Sequence, residues 1–301
     1  MKFKAFEEFC KLNKIKYQTN EPMSEHTSFK IGGPADFFVN VASDSQLKDA
    51  LLKLKELEIP YFIIGKGSNL LVSDKGIEGA VISLSLIDDI KVQGDVISAG
   101  AGASLAAVCV AAANNSLSGI EFAYGIPASV GGALYMNAGA YGGEMKDAVI
   151  KAEYVTKDGE IGEISLEEME LGYRTSIFKQ SEKIITRVYY KLKKGDNAEI
   201  RSAMDDFMGR RKSKQPLEFP SAGSTFKRPV GYFAGALIEQ NNLKGVSVGG
   251  AMVSEKHAGF VINYNNATCN DVKQLMEHIR QTVLKAESVE LHPEVIFVGR
   301  E

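Results

Sequence analysis

Two glycine-rich blocks restrict the fold of this chain more than any other feature of its sequence. The first, GKGSN at residues 65–69, directly follows the short apolar segment YFII. The second, GIPASVGGALYMNAGAYGG, fills residues 125–143. Glycine inside a helix or strand costs about 0.5–1 kcal/mol, so we expect these glycines to serve close backbone approach. Two such loops, with their N–H groups and nearby Ser and Asn donors, could hold the two phosphates of a dinucleotide. Without a ligand, the same blocks would be a pair of tight turns.

Neither block matches a familiar nucleotide motif. Leu70 takes the third glycine position of GxGxxG in the first block, and Leu105 does so in the stretch that begins at Gly100, which disfavours a Rossmann site. There is no GxxxxGK[ST] phosphate loop. The histidines show no paired metal spacing, so no metal site is expected; they are His26, His257, His278 and His292.

Composition excludes several classes of protein. With 35 basic and 38 acidic residues the net charge is −3, which argues against a general nucleic-acid binder. Three scattered cysteines without a CxxC pair indicate a reduced, intracellular protein. Residues 1–10 lack the apolar core of a signal peptide, and no apolar run approaches the length of a membrane span. We therefore expect a cytoplasmic protein that does not act on a membrane.

Hydrophobic spacing predicts that helices and strands alternate along the chain, in an α+β or mixed α/β arrangement. The polar, helical stretch after Gly195 differs from what precedes it and predicts a domain boundary there. The pair Asp158–Gly159 between β-type residues predicts a hairpin. Predicted helices cover the N-terminal segment and residues 45–57, 104–114, 195–214, 233–241 and 270–287, and predicted strands cover residues 36–41, 61–64, 79–85, 95–100, 183–192, 259–263 and 295–298.

Six motifs resemble, in the same order, those of the UDP-N-acetylenolpyruvoylglucosamine reductases of peptidoglycan synthesis. They are TSFKIGGPAD, GKGSNLLVSD, GIPASVGGALYMNAGAYGGE, YRTSIFK, AGSTFKRP and LHPEV, and they run from Thr27 to Val295. The chain is most similar to the shorter of the family's two types. Three positions depart from the common pattern. Lys30 replaces an arginine and loses its bidentate fork, Ala128 replaces a glycine, and His292 stands at a variable position.

The resemblance implies an α+β fold with a two-part FAD-binding region of the vanillyl-alcohol-oxidase-like type. That region would cover residues 1–195, with subdomains at about 1–83 and 84–195. An α+β substrate-binding domain would follow at 196–290, and residues 291–301 would carry a catalytic glutamate. Residues of both glycine blocks would hold the flavin pyrophosphate: Gly65, Gly67, Ser68, Asn69, Ser129, Gly132 and Gly139.

The resemblance also implies a reaction. NADPH reduces FAD, and the reduced flavin gives a hydride to the enolpyruvyl ether of UDP-N-acetylglucosamine enolpyruvate, yielding UDP-N-acetylmuramate. Negative charge then builds next to the substrate carboxylate, which needs fixed positive or hydrogen-bonding groups and finally a proton. By match to the motifs, Arg174 clamps the carboxylate, Glu294 acts with it near the enolate, and Ser224 donates the proton. The partners are thus a UDP-sugar and NADPH, with no nucleic acid.

The basic run at residues 210–214 has two interpretations. It is either a helix C-terminus whose cations complement the dipole, or a surface that faces the UDP diphosphate, with Arg211 at the family's phosphate-contact position. Lys256 and His257, in SEKHAGF, receive no role.

Two alternative functions remain. A flavin oxidase or hydroxy-acid dehydrogenase on the same fold would not require Arg174, Ser224 and Glu294 together. It often attaches its flavin to a histidine, and neither glycine block contains one. A non-catalytic nucleotide-binding module would have no need of the three residues.

Overall fold

The computed structural model describes residues 2–301 as two compact units, each with its own hydrophobic core. Met1, the first residue of the segment examined for a signal peptide, lies outside the described residues. Unit 1 contains the chain up to Gln18, Phe37–Lys66 and Gly79–Arg211, and unit 2 contains Thr19–Asp36, Gly67–Glu78 and Lys212–Glu301. The predicted domain boundaries near residues 83, 195 and 290 stay predictions.

Most of the predicted helices form within a few residues of the expected bounds. In the second helix, Leu47, Leu51 and Leu54 are buried on one face, and the Ser43 side chain accepts the N–H of Gln46 at its start. Among residues 2–301, no helix combines the length and the apolar composition needed to cross a membrane. The α-helices are α1 (Lys2–Leu12), α2 (Asp44–Glu56), α3 (Leu105–Asn114), α4 (Val130–Tyr135), α5 (Asn197–Lys214), α6 (Ala234–Gln240) and α7 (Cys269–Glu287).

The strands range from two to nine residues in length. They are β1 (Lys16–Pro22), β2 (Pro34–Asn40), β3 (Tyr61–Ile64), β4 (Leu70–Val72), β5 (Ile77–Ser83), β6 (Ile90–Gln93), β7 (Val96–Gly100), β8 (Leu117–Ser118), β9 (Gly139–Ala140), β10 (Gly143–Glu144), β11 (Val149–Thr156), β12 (Ile161–Ser165), β13 (Lys183–Lys191), β14 (Lys193–Lys194), β15 (Ser247–Val248), β16 (Ala251–Val253), β17 (Val261–Asn263) and β18 (Ile296–Val298).

Unit 1 is built around a five-stranded antiparallel sheet in the order β12–β11–β13–β7–β6. The predicted hairpin is confirmed, since β11 and β12 pair on either side of Asp158–Gly159 and Gly159 has a positive φ of 80°. Helix α4 packs against β13, and α3 packs against β6 and β7. A second sheet has the order β1–β2–β5–β3, in which β3 runs parallel to β5.

The second glycine block contains a helix that the sequence does not predict. Treating the block as a loop or a pair of turns was wrong for residues 130–135, which form α4. The Ser129 side chain starts this helix by accepting the Gly132 N–H at 3.3 Å. A Cβ atom at Gly131 would lie 2.9 Å from the Ala101 Cβ, so the helix approaches β7 closely because this residue has no side chain. Ala128 does not have a positive φ, so an alanine fits at this position without backbone strain.

Unit 2 combines a three-stranded antiparallel sheet, β15–β16–β17, with α6 and α7. A capping box starts α7, in which Thr268 and Asp271 each accept the other's backbone N–H. Strand β18 pairs parallel to β4. The sequence GVSVG at residues 245–249 has the spacing of a nucleophile elbow, but Ser247 lies in strand β15 of this antiparallel sheet and not in a strand-to-helix turn.

Candidate active site

Three of the predicted flavin-contact residues lie together in unit 1. A Cβ atom at Gly65 would lie 2.3 Å from the Ser129 Oγ, so the chain after β3 touches the start of α4. Ser129 is 2% exposed, and its hydroxyl oxygen accepts the Gly132 N–H. Next to Gly65, the Lys66 ammonium donates to the Ser104 hydroxyl at 3.0 Å. This junction combines glycine backbone, hydroxyls and a cation, which are the groups that bind a phosphate.

Arg174 lies on a tight turn. Gly172 and Thr175 exchange both of their backbone hydrogen bonds, at 3.2 Å each, and Arg174 between them has a positive φ of 55°. Its guanidinium carbon is 5.3 Å from the centre of the Tyr173 ring, and Lys179 donates to its carbonyl oxygen at 2.7 Å. A positive φ is uncommon for an arginine and is found at functional sites where the surrounding structure enforces it.

The residues that follow α4 hold this turn in place. Asn137 is 1% exposed, and its side-chain amide donates to the Gly172 carbonyl at 3.0 Å and to the Glu144 carboxylate at 2.9 Å. The Ser176 hydroxyl donates to the Tyr135 carbonyl at 2.7 Å. Asn137 therefore positions the arginine turn, although it is not among the residues predicted from the sequence. Its place in the NAG sequence of the second glycine block is the only signal that could have pointed to it.

Gly139 is anchored in the same region. It pairs with Glu144 across the β9–β10 hairpin, and a Cβ atom there would lie 2.7 Å from the Gly143 carbonyl oxygen. Hydrogen bonds from Lys146 and Asn137, with the charge of Arg174, lower the pKa of the Glu144 carboxyl against the effect of partial burial. Burial raises the pKa of Tyr135. The region thus contains a stable carboxylate and a neutral phenol.

The basic run forms the end of α5, and its residues differ in their surroundings. Arg210 pairs with Asp206 one turn earlier, at 2.8 Å. Arg211 instead extends against Gly125, where a Cβ atom would lie 3.0 Å from the Arg211 Cδ. Burial lowers the pKa of Arg211, and no carboxylate of residues 2–301 forms an ion pair with it. A desolvated guanidinium of this kind favours an anionic ligand.

The rest of the first glycine block belongs to unit 2. Gly67 has a positive φ of 59°, and a Cβ atom there would lie 2.2 Å from the His26 carbonyl oxygen. Ser68 follows and is partly exposed. The Asn69 side chain donates to the Glu294 carbonyl at 3.1 Å, and its own carbonyl accepts the Ile296 N–H at 2.9 Å. These two bonds join the glycine block to the segment that carries the predicted catalytic glutamate.

Ser224 and Glu294 lie on neighbouring segments of unit 2. The Glu294 N–H donates to the Thr225 carbonyl at 2.9 Å, and Phe226 and Pro293 form a β-bridge beside it. Ser224 is exposed, whereas Thr225 is 1% exposed. The Thr225 hydroxyl accepts the Val261 N–H and so anchors this segment. The structure therefore brings Asn69, Ser224 and Glu294 into one region of unit 2, and Arg174 belongs to unit 1. The convergence of all three catalytic candidates on one flavin ring stays a prediction.

The residues present fit FAD better than a metal ion. Glycine positions that a Cβ atom would fill, beside the buried Ser129 hydroxyl, are suited to the close approach of a pyrophosphate. No group of three or more His, Cys, Asp or Glu residues within 2–301 is arranged to hold a metal.

Two family models and several known reductases match the chain. A model of the FAD binding domain matches residues 35–165, and a model of the UDP-N-acetylenolpyruvoylglucosamine reductase C-terminal domain matches residues 215–298. Reductases of that name from Caldanaerobacter subterraneus subsp. tengcongensis and Clostridium perfringens are 50% and 47% identical, over 96% and 98% of both chains. The Thermus caldophilus reductase structure has a TM-score of 0.80 at 35% identity, covering 94% of this chain and 98% of its own. A berberine bridge enzyme variant shares the fold alone, with a TM-score of 0.51 at 12% identity, over 64% of this chain and 44% of its own.

The fold and these matches define an FAD-dependent oxidoreductase whose FAD-binding region is of the vanillyl-alcohol-oxidase-like type, as the resemblance predicts. The chain belongs to the UDP-N-acetylenolpyruvoylglucosamine reductase family. Membership confirms FAD as the cofactor, NADPH as the reductant and peptidoglycan precursor synthesis as the process. It also favours the reductase over the oxidase and over a non-catalytic module.

Proposed function

We propose that this chain reduces UDP-N-acetylglucosamine enolpyruvate to UDP-N-acetylmuramate, with Arg174, Ser224 and Glu294 as its catalytic residues. Bound FAD supplies the hydride chemistry, from NADPH to the vinyl carbon of the enolpyruvyl ether. The observation that carries the residue assignment is the hydrogen-bonded junction of Asn69, Thr225 and Glu294, because it links a cofactor motif to two catalytic motifs.

The cofactor is held in this proposal by residues of both glycine blocks. Gly65, Ser129, Gly132 and Gly139 present backbone and a hydroxyl to the pyrophosphate, and Gly67, Ser68 and Asn69 are the further contacts assigned by motif. The support is the tight contact of Gly65 with Ser129, because a side chain there would close the approach to the backbone.

Arg174 binds the substrate carboxylate through its planar fork and stabilises the negative charge that develops after hydride transfer. Its conformation supports this role, since a turn with a positive φ at an arginine is maintained by buried bonds from Ser176 and Asn137. Glu294 acts beside it near the enolate. Ser224 then transfers its hydroxyl proton to the substrate carbon, a step for which only a strongly basic carbanion suffices.

Arg211 binds the diphosphate of the UDP-sugar. Its desolvated guanidinium and its lack of an ion pair within residues 2–301 support an anionic ligand. The reaction takes place in the cytoplasm, where NADPH and nucleotide sugars are available, and it requires neither a nucleic acid nor a membrane.

The proposal is tested by following flavin colour in the two half-reactions. NADPH should bleach the yellow holoenzyme, and the enolpyruvyl UDP-sugar should restore the colour. Ser224→Ala should still be bleached by NADPH but recover colour roughly 10²–10⁴ times more slowly, because the general acid is lost. The control is Ser247→Ala, which alters an exposed serine of β15 and should behave as wild type. Unimpaired recovery in Ser224→Ala would contradict the serine assignment.

A further inference from the structure

The SEKHAGF segment, which has no role in the reaction described so far, forms a loop in unit 2 that is held by several internal hydrogen bonds. The buried Ser254 hydroxyl accepts the N–H groups of Lys256 and His257 at 3.2 Å each. The Ser254 N–H donates to the Phe260 carbonyl, and the Phe260 N–H donates to the His257 carbonyl, at 2.9 and 3.0 Å. These bonds fix the backbone on both sides of His257.

The His257 imidazole closes this loop. Its Nδ1 accepts the Gly259 N–H at 3.0 Å. The ring lies against two glycines, since Cβ atoms at Gly235 and Gly259 would lie 3.3 and 3.0 Å from its Cε1. The Phe260 ring contacts it edge-on, with 5.0 Å between ring centres. The ring position is fixed on these sides, so its hydrogen bond holds Gly259 in a defined place.

Gly259 is in turn bonded to the segment that carries the proposed proton donor. The Thr225 N–H donates to the Gly259 carbonyl at 2.9 Å, and the Val261 N–H donates to the Thr225 Oγ1 at 2.9 Å. On its other side, the Thr225 carbonyl accepts the Glu294 N–H at 2.9 Å. Thr225 thus connects the histidine loop to Glu294 and, as the next residue in the chain, to Ser224.

We infer that His257 is a positioning residue for proton delivery to the substrate. Its Nδ1 holds Gly259, Gly259 holds Thr225, and Thr225 sets the separation of Ser224 and Glu294. The inference rests on the proposed function, because it assigns these two residues to the step after hydride transfer. NADPH reduction of the flavin does not use them, so His257 should affect only one of the two half-reactions.

The role requires a neutral imidazole, because a protonated ring has no lone pair at Nδ1 to accept the Gly259 N–H. Burial lowers the pKa of His257, a contact of the ring with its own backbone opposes this, Lys244 lowers the pKa further and Glu239 raises it. Glu239 of α6 and Lys244 pair with each other at 2.6 Å. On the loop itself, Lys256 donates to the Lys212 carbonyl and lies 3.6 Å from the Glu218 carboxylate. We therefore expect the bond to be intact near neutral pH and to be lost in acid.

Two substitutions separate the hydrogen bond from the bulk of the side chain. His257→Asn places an amide oxygen where Nδ1 accepts, and this oxygen does not titrate. His257→Leu fills space without an acceptor. The control His278→Leu removes an exposed histidine on α7. Rapid-mixing measurements on the holoenzymes would give the rate of bleaching by NADPH and the rate of reoxidation by the enolpyruvyl UDP-sugar.

We expect His257→Leu to slow reoxidation about 10- to 100-fold, the scale of a small misplacement of reacting groups, with bleaching by NADPH unchanged. His257→Asn and His278→Leu should reoxidise like wild type. As the pH falls below 6.5, the ordinary pKa of histidine, reoxidation should weaken in wild type more than in His257→Asn.

Equal reoxidation rates in His257→Leu and wild type would overturn the inference. Equal slowing in His257→Leu and His257→Asn would overturn it as well, because the acceptor atom would then be irrelevant. Equal slowing of both half-reactions would show a structural role only. A wild-type protein that NADPH bleaches and the UDP-sugar cannot reoxidise would instead contradict the proposed function.

Discussion

Gly65 is a residue at which one methyl group should decide whether the cofactor is retained. An alanine Cβ would lie 2.3 Å from the Ser129 hydroxyl, which is buried and already bonded to the Gly132 N–H. Ser129 would have to turn away, and the start of α4 would lose its cap. The same methyl group would occupy space that we assign to the pyrophosphate.

We therefore expect Gly65→Ala to purify with much less FAD than wild type, measured as flavin released per protein on denaturation. The matched control is Gly209→Ala in α5, where no heavy atom lies within 4 Å of the added Cβ. This control should retain its flavin and gain about 0.5–1 kcal/mol of stability from the better helix former. Full flavin content in Gly65→Ala would exclude this glycine from the cofactor site.

At the scale of elements, α4 and the turn that carries Arg174 behave as one assembly. Asn137, two residues after α4, donates one side-chain bond to the Gly172 carbonyl of that turn and a second to Glu144 of β10. It has a positive φ of 41°, which glycine adopts freely. Asn137→Gly therefore removes the amide without adding backbone strain. We expect reoxidation by the enolpyruvyl substrate to slow roughly tenfold as the arginine turn loosens.

The control for this substitution is Asn266→Gly, which changes an exposed asparagine with a similar φ of 49°. Its reoxidation rate should equal that of wild type in the same rapid-mixing assay. If Asn137→Gly also matched wild type, the arginine turn would not depend on α4.

The elements that the sequence predicts are those whose own residues specify them. Helix α2 buries Leu47, Leu51 and Leu54 at helical spacing, and the Asp158–Gly159 turn has the conformation that its residues favour. Helix α4 has no such pattern, because VGGALY is poor in helix formers and depends on the Ser129 cap and on contact with Ala101. The candidate catalytic residues lie in motifs that identify them without any structural pattern. Asn137 donates to the carbonyl of Gly172, 35 residues away, and His257 accepts a backbone N–H. Hydrophobic spacing along the sequence reveals neither kind of bond.

For the whole molecule, the cysteines report on the integrity of both cores. All three are buried, and burial raises the pKa of Cys10 and Cys109 to about 12 and that of Cys269 to about 11. A thiol reagent attacks the thiolate, so native protein at pH 8 should label very slowly and protein in urea should show three thiols. Rapid labelling of the native protein would contradict this packing.

The same thiols predict how stability depends on pH. Their folded pKa values lie above the ordinary value of 9.0, so the unfolded chain releases these protons first. Their contribution to stability is complete below pH 9 and is lost as the pH rises toward the folded values. The free energy of unfolding should therefore fall between pH 9 and pH 11, and Cys109→Ala should reduce that slope.

The chain alternates between the two units, each of which is made of three separate segments. Asn69 is synthesised 225 residues before Glu294, the residue whose carbonyl it binds. On the ribosome, the early segments of unit 2 must wait for the last one to emerge, at about 5–20 residues per second. Their apolar side chains, among them Phe29, Ile31 and Leu71, stay without their core partners during that interval. The nascent polypeptide is thus an expected client of chaperones that shield exposed hydrophobic segments.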